Sequence, residues 1–360
     1  MDVRPKRLAK ALLGQALVRG GFWQRRLRTW AERNAVVILT YHRVTDKWDE
    51  TLDYSQPGMV VTDSTFERQV AILKEHFEVV TLGALLADGA SAGRPARPRC
   101  VITFDDGWRD NYDLAFPILR RHGLPATVFL ATDFIGTDRA FWHTELIYLF
   151  TRTELSRSLG GEITFRAYPG PVRQELRRLA KRERLGARDL DPLIETVKAL
   201  CDEEVIEELV HTLSEAVRLR RPLFPDRKFF LDWDQVRAMA TAGFEIGSHS
   251  CSHRILTRLP ADTANEELVR SKVEIERRVG GKVEHFAFPN EAASEALVTA
   301  AASAEYRTAC FAAPVARRGA LGIRPLRRLG MHEQVCSDGR SFDESLLRYW
   351  LFRAPEGVPA

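Results

Sequence analysis

Two stretches of the chain combine residue types that do chemistry. In Cys100-Val101-Ile102-Thr103-Phe104-Asp105-Asp106-Gly107, an apolar, β-branched run stops at two adjacent carboxylates and a glycine that permits a sharp turn. Two anions side by side at a strand end repel each other unless a cation or a shared proton compensates. One of them therefore reads as a metal ligand and the other as an acid/base group. Because Asp-Gly is also a common turn signal, an acidic turn is the plain alternative. In the second stretch, Phe244 to His253, another strand-like run ends in Gly247-Ser248 and delivers His249 and His253, spaced i,i+4. If the segment turns helically, both imidazoles lie on one side. A lone pair of this kind is usually surface or core histidine. Joined to a carboxylate at the end of a parallel strand, it makes a site for Zn²⁺ or a similar divalent ion with a position left open for water.

In these two motifs, and in the weaker Phe286-Ala287-Phe288-Pro289-Asn290, the chain resembles the NodB-like polysaccharide deacetylases, carbohydrate esterase family four. The resemblance implies that Asp105 is the catalytic base and that Asp106, His249 and His253 hold the metal. Cys251, between the histidines, is then not needed as a soft ligand. A backbone N–H near Pro289-Asn290 would hold the oxyanion. For the general acid the family uses a histidine in a Leu-x-His type motif after an apolar strand. None stands near the C-terminus, but Ile38-Leu39-Thr40-Tyr41-His42 has a similar form at the front of the chain. His42 is the expected acid, on the opposite side of the substrate from Asp105, with His332 and then His143 as competitors. Two departures stand out: Ala287 where many members carry an arginine that pairs with the base, and Glu291 where a glycine usually ends the motif. Arg328 is the candidate for the missing charge, with Arg327 equally near in sequence.

The elements that must position these residues follow from hydrophobic periodicity. Strand patterns at 35–40, 77–81, 100–104, 125–130, 244–248, 283–289, 306–311 and 324–331 alternate with helical ones, including 63–76, 111–122, 232–242, 262–279 and 294–304. Such alternation implies a parallel sheet and, for this many units, a closed or nearly closed barrel. The pattern breaks from 141 to 228, where charged helical stretches (173–185, 193–201, 203–219) form a helical insertion. The expected fold is thus α/β, a distorted (β/α) barrel of the polysaccharide deacetylase type built from 35–140 and 229–345. A basic N-terminal arm (1–34) precedes it and a tail (346–360) follows.

Composition sets the outer limits. With 360 residues and 45% hydrophobic content the chain can bury a full core. Its 53 Lys+Arg against 49 Asp+Glu give +4, too slight a balance to argue for nucleic acid, while an anionic glycan or lipid head group stays open. Five scattered cysteines without a CxxC pair favour reduced thiols. The arm is basic and amphipathic. It reads either as a peripheral contact with an anionic membrane or as a helix packed on the barrel. Lacking a secretory pattern or an apolar stretch of membrane-spanning length, the protein is expected in the cytoplasm or at the inner face of the membrane. The basic run Arg177-Arg178, Lys181-Arg182 and Arg184 reads as a solvated helix face before it reads as a grip on an acidic substrate. Together these readings give a metal-dependent deacetylase hydrolysing the N-acetyl amide of an amino sugar, in a polysaccharide or a lipid-linked glycan. Hydrolysis of an O-acetyl ester or a non-sugar amide is the enzymatic alternative. A silent glycan-binding barrel is the non-enzymatic one, against which all four key positions are present.

Overall fold

A computed structural model of the protein describes residues 3–47, 54–87, 95–153, 155, 167–225, 227–312 and 323–355. The chain divides into two compact units, one made of Met1–Asp46, Val61–Thr137 and Phe230–Ala360, the other of Lys47–Val60 and Asp138–Phe229. Strands run in the order β1 (Val36–Tyr41), β2 (Arg43–Thr45), β3 (Val60–Thr62), β4 (Glu78–Val79), β5 (Arg99–Phe104), β6 (Thr127–Leu130), β7 (Glu245–Ser248), β8 (His285–Ala287), β9 (Thr308–Cys310), β10 (Arg324–Leu326) and β11 (Leu329–Gly330). Nine of them form one sheet in the order β10-β9-β8-β7-β6-β5-β1-β11, with β4 also on β5, while β2 and β3 make a separate ribbon. The pairings of this sheet are parallel. Every residue of β1 and β5 is buried, as expected of strands covered on both faces.

The expected single strand 324–331 is in fact two. β10 pairs with β9 at one edge of the sheet and β11 pairs with β1 at the other. Only Arg327 and Arg328 separate them, and three Cα steps span at most about 11 Å. The two edges must therefore come together, so the sheet curls into a barrel whose seam is crossed by chain rather than by a hydrogen-bonded ladder. His42, Asp105, His249 and Pro289 all follow the C-terminal ends of parallel strands, where such folds carry their chemistry.

Flanking helices begin where the sequence provides caps. Asp232 and Gln235 form a reciprocal capping box on the helix Trp233–Thr241, Ser294 caps Glu295–Ser303, and Thr62 caps Asp63–His76. Pro117 is accommodated because a π-turn, Asn111–Ala115, precedes the helix Phe116–His122 and leaves Pro117 in its first turn. The N-terminal arm forms two helices, Val3–Arg19 and Phe22–Glu32. Trp23 and Trp30 are fully buried, their rings 5.7 Å from His76 and 6.2 Å from Phe77. The helix Val3–Arg19 lies on the C-terminal helix Glu344–Phe352. The Pro-containing end expected beyond that helix lies, from residue 356, outside the described residues.

In the second unit the helices Trp142–Arg152, Gly170–Ala180, Asp191–Leu200 and Glu203–Ala216 share a core. Leu146, Leu149, Val172, Leu176, Leu193, Val197, Leu209 and Leu213 fill it, spaced three or four apart within each helix. Among the described residues no helix is long and apolar enough to cross a membrane.

Gly14 sits where a Cβ would collide with the Ser345 backbone carbonyl. Gly14→Leu should therefore lift the first helix off the body at about 1–3 kcal/mol of overpacking. Limited proteolysis should then cut within the first twenty residues faster than in the parent; equal cleavage rates would refute the docking.

Candidate active site

At the end of β5 the backbone leaves the sheet through Asp106 and Gly107, with φ of 75° and 80°. Gly107 is required twice over, since a Cβ there would also come within 2.8 Å of Ile135 and 2.9 Å of Leu130. Asp106 is a non-glycine residue in the left-handed region, a conformation that persists only when its surroundings impose it. They do so here. Trp108 Nε1 donates to Asp106 Oδ2 at 2.7 Å, the Trp108 ring stacks on Phe230 at 4.7 Å, and Leu231 N donates to the Gly107 carbonyl at 2.9 Å.

The histidines hang on a loop tied to its neighbours on both sides. His249 N, Thr132 N and Asp133 N bond across the ends of β6 and β7, to the carbonyls of Leu130, Ser250 and Cys251. From the helix Ala261–Val279, buried Glu267 accepts from Cys251 N (2.7 Å), Ser252 N (2.9 Å) and Ser252 Oγ (2.6 Å). Ser250 and His253 are thereby held at φ 66° and 60°, again left-handed. Glu267 was not anticipated from sequence: it is one of several acids on the charged helix Ala261–Val279, and nothing in its spacing distinguishes it.

These two loops converge. His249 Nε2 and His253 Nε2 stand 3.4 and 3.1 Å from Asp106 Oδ1, with the imidazole centroids 5.0 Å apart. One ligand atom from each of the three residues lies within 4.8 Å of the others. The donor chemistry fits a metal ion. Asp106 Oδ1 is buried yet accepts no hydrogen bond. His249 Nδ1 lies 2.7 Å from the Ala287 carbonyl, so a neutral ring carries its proton there and turns the Nε2 lone pair toward Asp106. Acceptors facing each other in a buried site call for a cation between them. Consistent with this, burial opposes charge on His249, but Asp105 and Asp106 outweigh it and raise the imidazole's affinity for a proton. Cys251 is turned away, its Sγ against Arg270 Nε at 3.3 Å and the Glu267 carbonyl at 3.6 Å.

Comparison with known proteins decides the family. A family model described as polysaccharide deacetylase matches residues 92–183 and 197–309, more than half of the chain. The chain belongs to the polysaccharide deacetylase family. Over 115 residues it is 35% identical to a poly-β-1,6-N-acetyl-D-glucosamine N-deacetylase of Staphylococcus epidermidis, covering 29% of this chain and 39% of the relative. The enzyme of the same name from Staphylococcus aureus is 31% identical over 120 residues, with the same 39% of its length covered. The matched segment thus spans about two fifths of these curated relatives. Among solved structures, the Streptococcus pyogenes deacetylase PplD aligns with TM-score 0.53 at 16% identity, over 88% of this chain and 98% of that one. IcaB from Ammonifex degensii gives 0.52 at 14%, over 88% and 97%. Both support the barrel fold.

Within this family the departures at Ala287 and Glu291 resolve together. Arg328, at the seam and with 1% of its side chain exposed, forms a fork-to-fork pair with Asp105, Nη1 to Oδ1 and Nη2 to Oδ2 both at 2.7 Å. Its Nε faces Glu291 Oε1 at 3.3 Å. Arg327 is exposed. Burial alone would push the Asp105 carboxyl up, but Arg328 in the first place, with His249 and His42, holds it below the ordinary range. The Asp105 carboxylate is therefore ionised at neutral pH.

His42 stands beside Asp105, Nε2 to Oδ2 at 4.0 Å, rather than across from it. The register explains this: Tyr41 pairs with Phe104, so the residues that follow leave the sheet as neighbours. Asn111 Nδ2 donates to the His42 carbonyl at 2.7 Å, and Asp110 accepts from Val44 N and Arg43 Nε, contacts that sequence gave no means of finding. His332 is packed near Trp350 and burial lowers its pKa to about 4. His143 belongs to the second unit, buried beside Phe141 and Trp142. Pro289 is buried and Asn290 exposed at φ 57°, and no hydrogen bond among the described residues links Asn290 to the acidic pair or the histidines.

Replacing Arg328 by Met leaves Asp105 buried without its counter-ion. Breaking such a pair typically costs about 3–5 kcal/mol. Its carboxyl pKa should rise, so the acidic limb of kcat/KM should move to higher pH, with activity lost at neutral pH and partly regained on the alkaline side. A profile whose acidic limb stays in place would remove Arg328 from the control of the base.

Proposed function

We propose that this protein is a metal-dependent N-deacetylase of an N-acetylated amino-sugar polymer. The observation that carries the reading is the convergence of Asp106, His249 and His253 on an unpartnered carboxylate oxygen, one residue from an ionised buried base. Family membership supports deacetylation as the reaction class. The names of the staphylococcal relatives point to β-1,6-linked N-acetylglucosamine as the first polymer to try.

Asp106, His249 and His253 would hold a divalent ion, and two nitrogen donors with one oxygen donor favour Zn²⁺. When bound, the ion would polarise the amide carbonyl and make water at the site more acidic. Asp105 takes the proton of the attacking water. Thr40 Oγ1, 3.4 Å from Oδ2, and the Arg328 fork fix the direction of its lone pairs. The amine must be protonated to leave, and His42 is the group at hand, its side chain 27% exposed and adjacent to the base. His332, with its pKa near 4, is neutral at working pH and a poor acid.

Asp105→Asn should lower acetate release from poly-N-acetylglucosamine by about 10²–10⁴-fold with normal metal content by elemental analysis, because the base does not coordinate. Asp106→Asn should lose the metal itself. If Asp105→Asn loses metal instead, the two roles are exchanged; acetate release only from O-acetylated glycans would favour the esterase alternative.

His42→Ala should slow turnover and flatten the alkaline limb of the pH profile, while His332→Ala leaves the profile's shape unchanged. The reverse pattern would assign proton donation to His332.

A further inference from the structure

We infer that the N-terminal helix Val3–Arg19 is a membrane-surface anchor that seats the enzyme on an anionic lipid bilayer. Two faces of this helix are distinguishable. Arg7, Ala11, Gly14 and Val18 recur at i, i+4, i+7 and i+11 and form the docked side. Ala11 and Gly14 are buried, and Arg7 Nη1 donates to the Ser337 carbonyl at 2.7 Å. The opposite side carries Leu8, Leu12 and Ala16. Leu8 is 62% exposed and Leu12 56%, and Leu13 on the adjoining stripe and Phe22 at the start of the next helix are each 53% exposed. A folded protein has no reason to turn four large apolar side chains of one short segment to water, and such a patch marks a contact.

Charge selects the occupant. Between residues 3 and 31 there is no Asp or Glu against eight Lys and Arg. Lys6 and Lys10 share a stripe with Leu13, Arg19 lies beside Leu12, and Arg25 and Arg28 follow on the next helix, all exposed. None of these five cations forms an ion pair among the described residues. A second copy of the chain would bring like charges together around the leucines. Anionic phospholipid instead offers hydrocarbon to the leucines and phosphate to the cations, the pairing that an interfacial helix requires. Because the other face is fixed to the barrel, the anchor would hold the body close to the bilayer.

The test uses the full chain, purified without detergent, in co-sedimentation with vesicles and independently of any turnover. Binding is expected to vesicles of phosphatidylcholine mixed with phosphatidylglycerol, to weaken steeply with added salt, and to be small on phosphatidylcholine alone. The double variant Leu8→Glu, Leu12→Glu should bind at least about tenfold more weakly. Lys6→Glu with Lys10→Glu should lose roughly fivefold per charge. All four side chains are exposed, so the melting curves should match the parent and exclude misfolding as the cause. Failure of the parent to sediment with the anionic vesicles would overturn the inference, as would equal binding by the double leucine variant. Concentration-dependent dimerisation that the leucine variant abolishes, without vesicle binding, would overturn it in favour of a second copy.

Discussion

Everything at the catalytic end of the barrel answers one electrostatic problem, the burial of two carboxylates on consecutive residues. Neither Asp105 nor Asp106 is exposed to water to any useful degree. Desolvation alone would protonate one of them. The fold separates their compensation in space. Asp105 receives a guanidinium from the seam through two 2.7 Å bonds, and Asp106 receives Trp108 on one oxygen and two imidazoles around the other. Asp105 is neutralised within the protein, which suits the base proposed above, whereas Asp106 Oδ1 is left without a hydrogen bond, which suits the proposed metal ligand. Environment thus sets identical adjacent side chains apart.

The second constraint is backbone strain. Asp106, Ser250 and His253 occupy left-handed conformations that non-glycine residues avoid at a cost of roughly 1–3 kcal/mol each. Here they are over-determined, Asp106 by the Trp108 bond and the Leu231 to Gly107 ladder, Ser250 and His253 by the Glu267 carboxylate. The three donor atoms are consequently placed by the protein alone, so the metal ion proposed above would spend little of its binding energy on ordering side chains.

How much of this could be read from the chain follows from the range of each interaction. The acidic pair and the histidine pair are local motifs at strand ends, so residue type and spacing were enough, as was the alternation that implies a parallel barrel. Interactions that depend on register or on helix packing were not legible. His42 was picked out as an ionisable residue at the end of the first strand, but its place beside Asp105 follows from the pairing of Tyr41 with Phe104. Glu267 looks like any acid on a charged helix until that helix is docked under the histidine loop. The stretch 324–331 reads as one strand, since nothing local reveals that its two halves belong to opposite edges of the sheet. Arg328 was nameable as a candidate because the third motif lacks its arginine. Its distinction from Arg327 comes from the side each takes at the seam.

That seam also bears on how the molecule is made. The guanidinium that neutralises Asp105 lies 223 residues downstream of it, beyond the helical unit and most of the barrel. During synthesis the strand carrying Asp105 therefore leaves the ribosome long before its counter-charge exists. A contact of this range closes late, because the loop entropy it must overcome grows with the length of intervening chain. Until β11 docks on β1, the two carboxylates have every reason to remain solvated, so the half-built barrel should stay open at their end. A nascent chain arrested before residue 328 would accordingly expose its strand edges to chaperones and neighbouring chains.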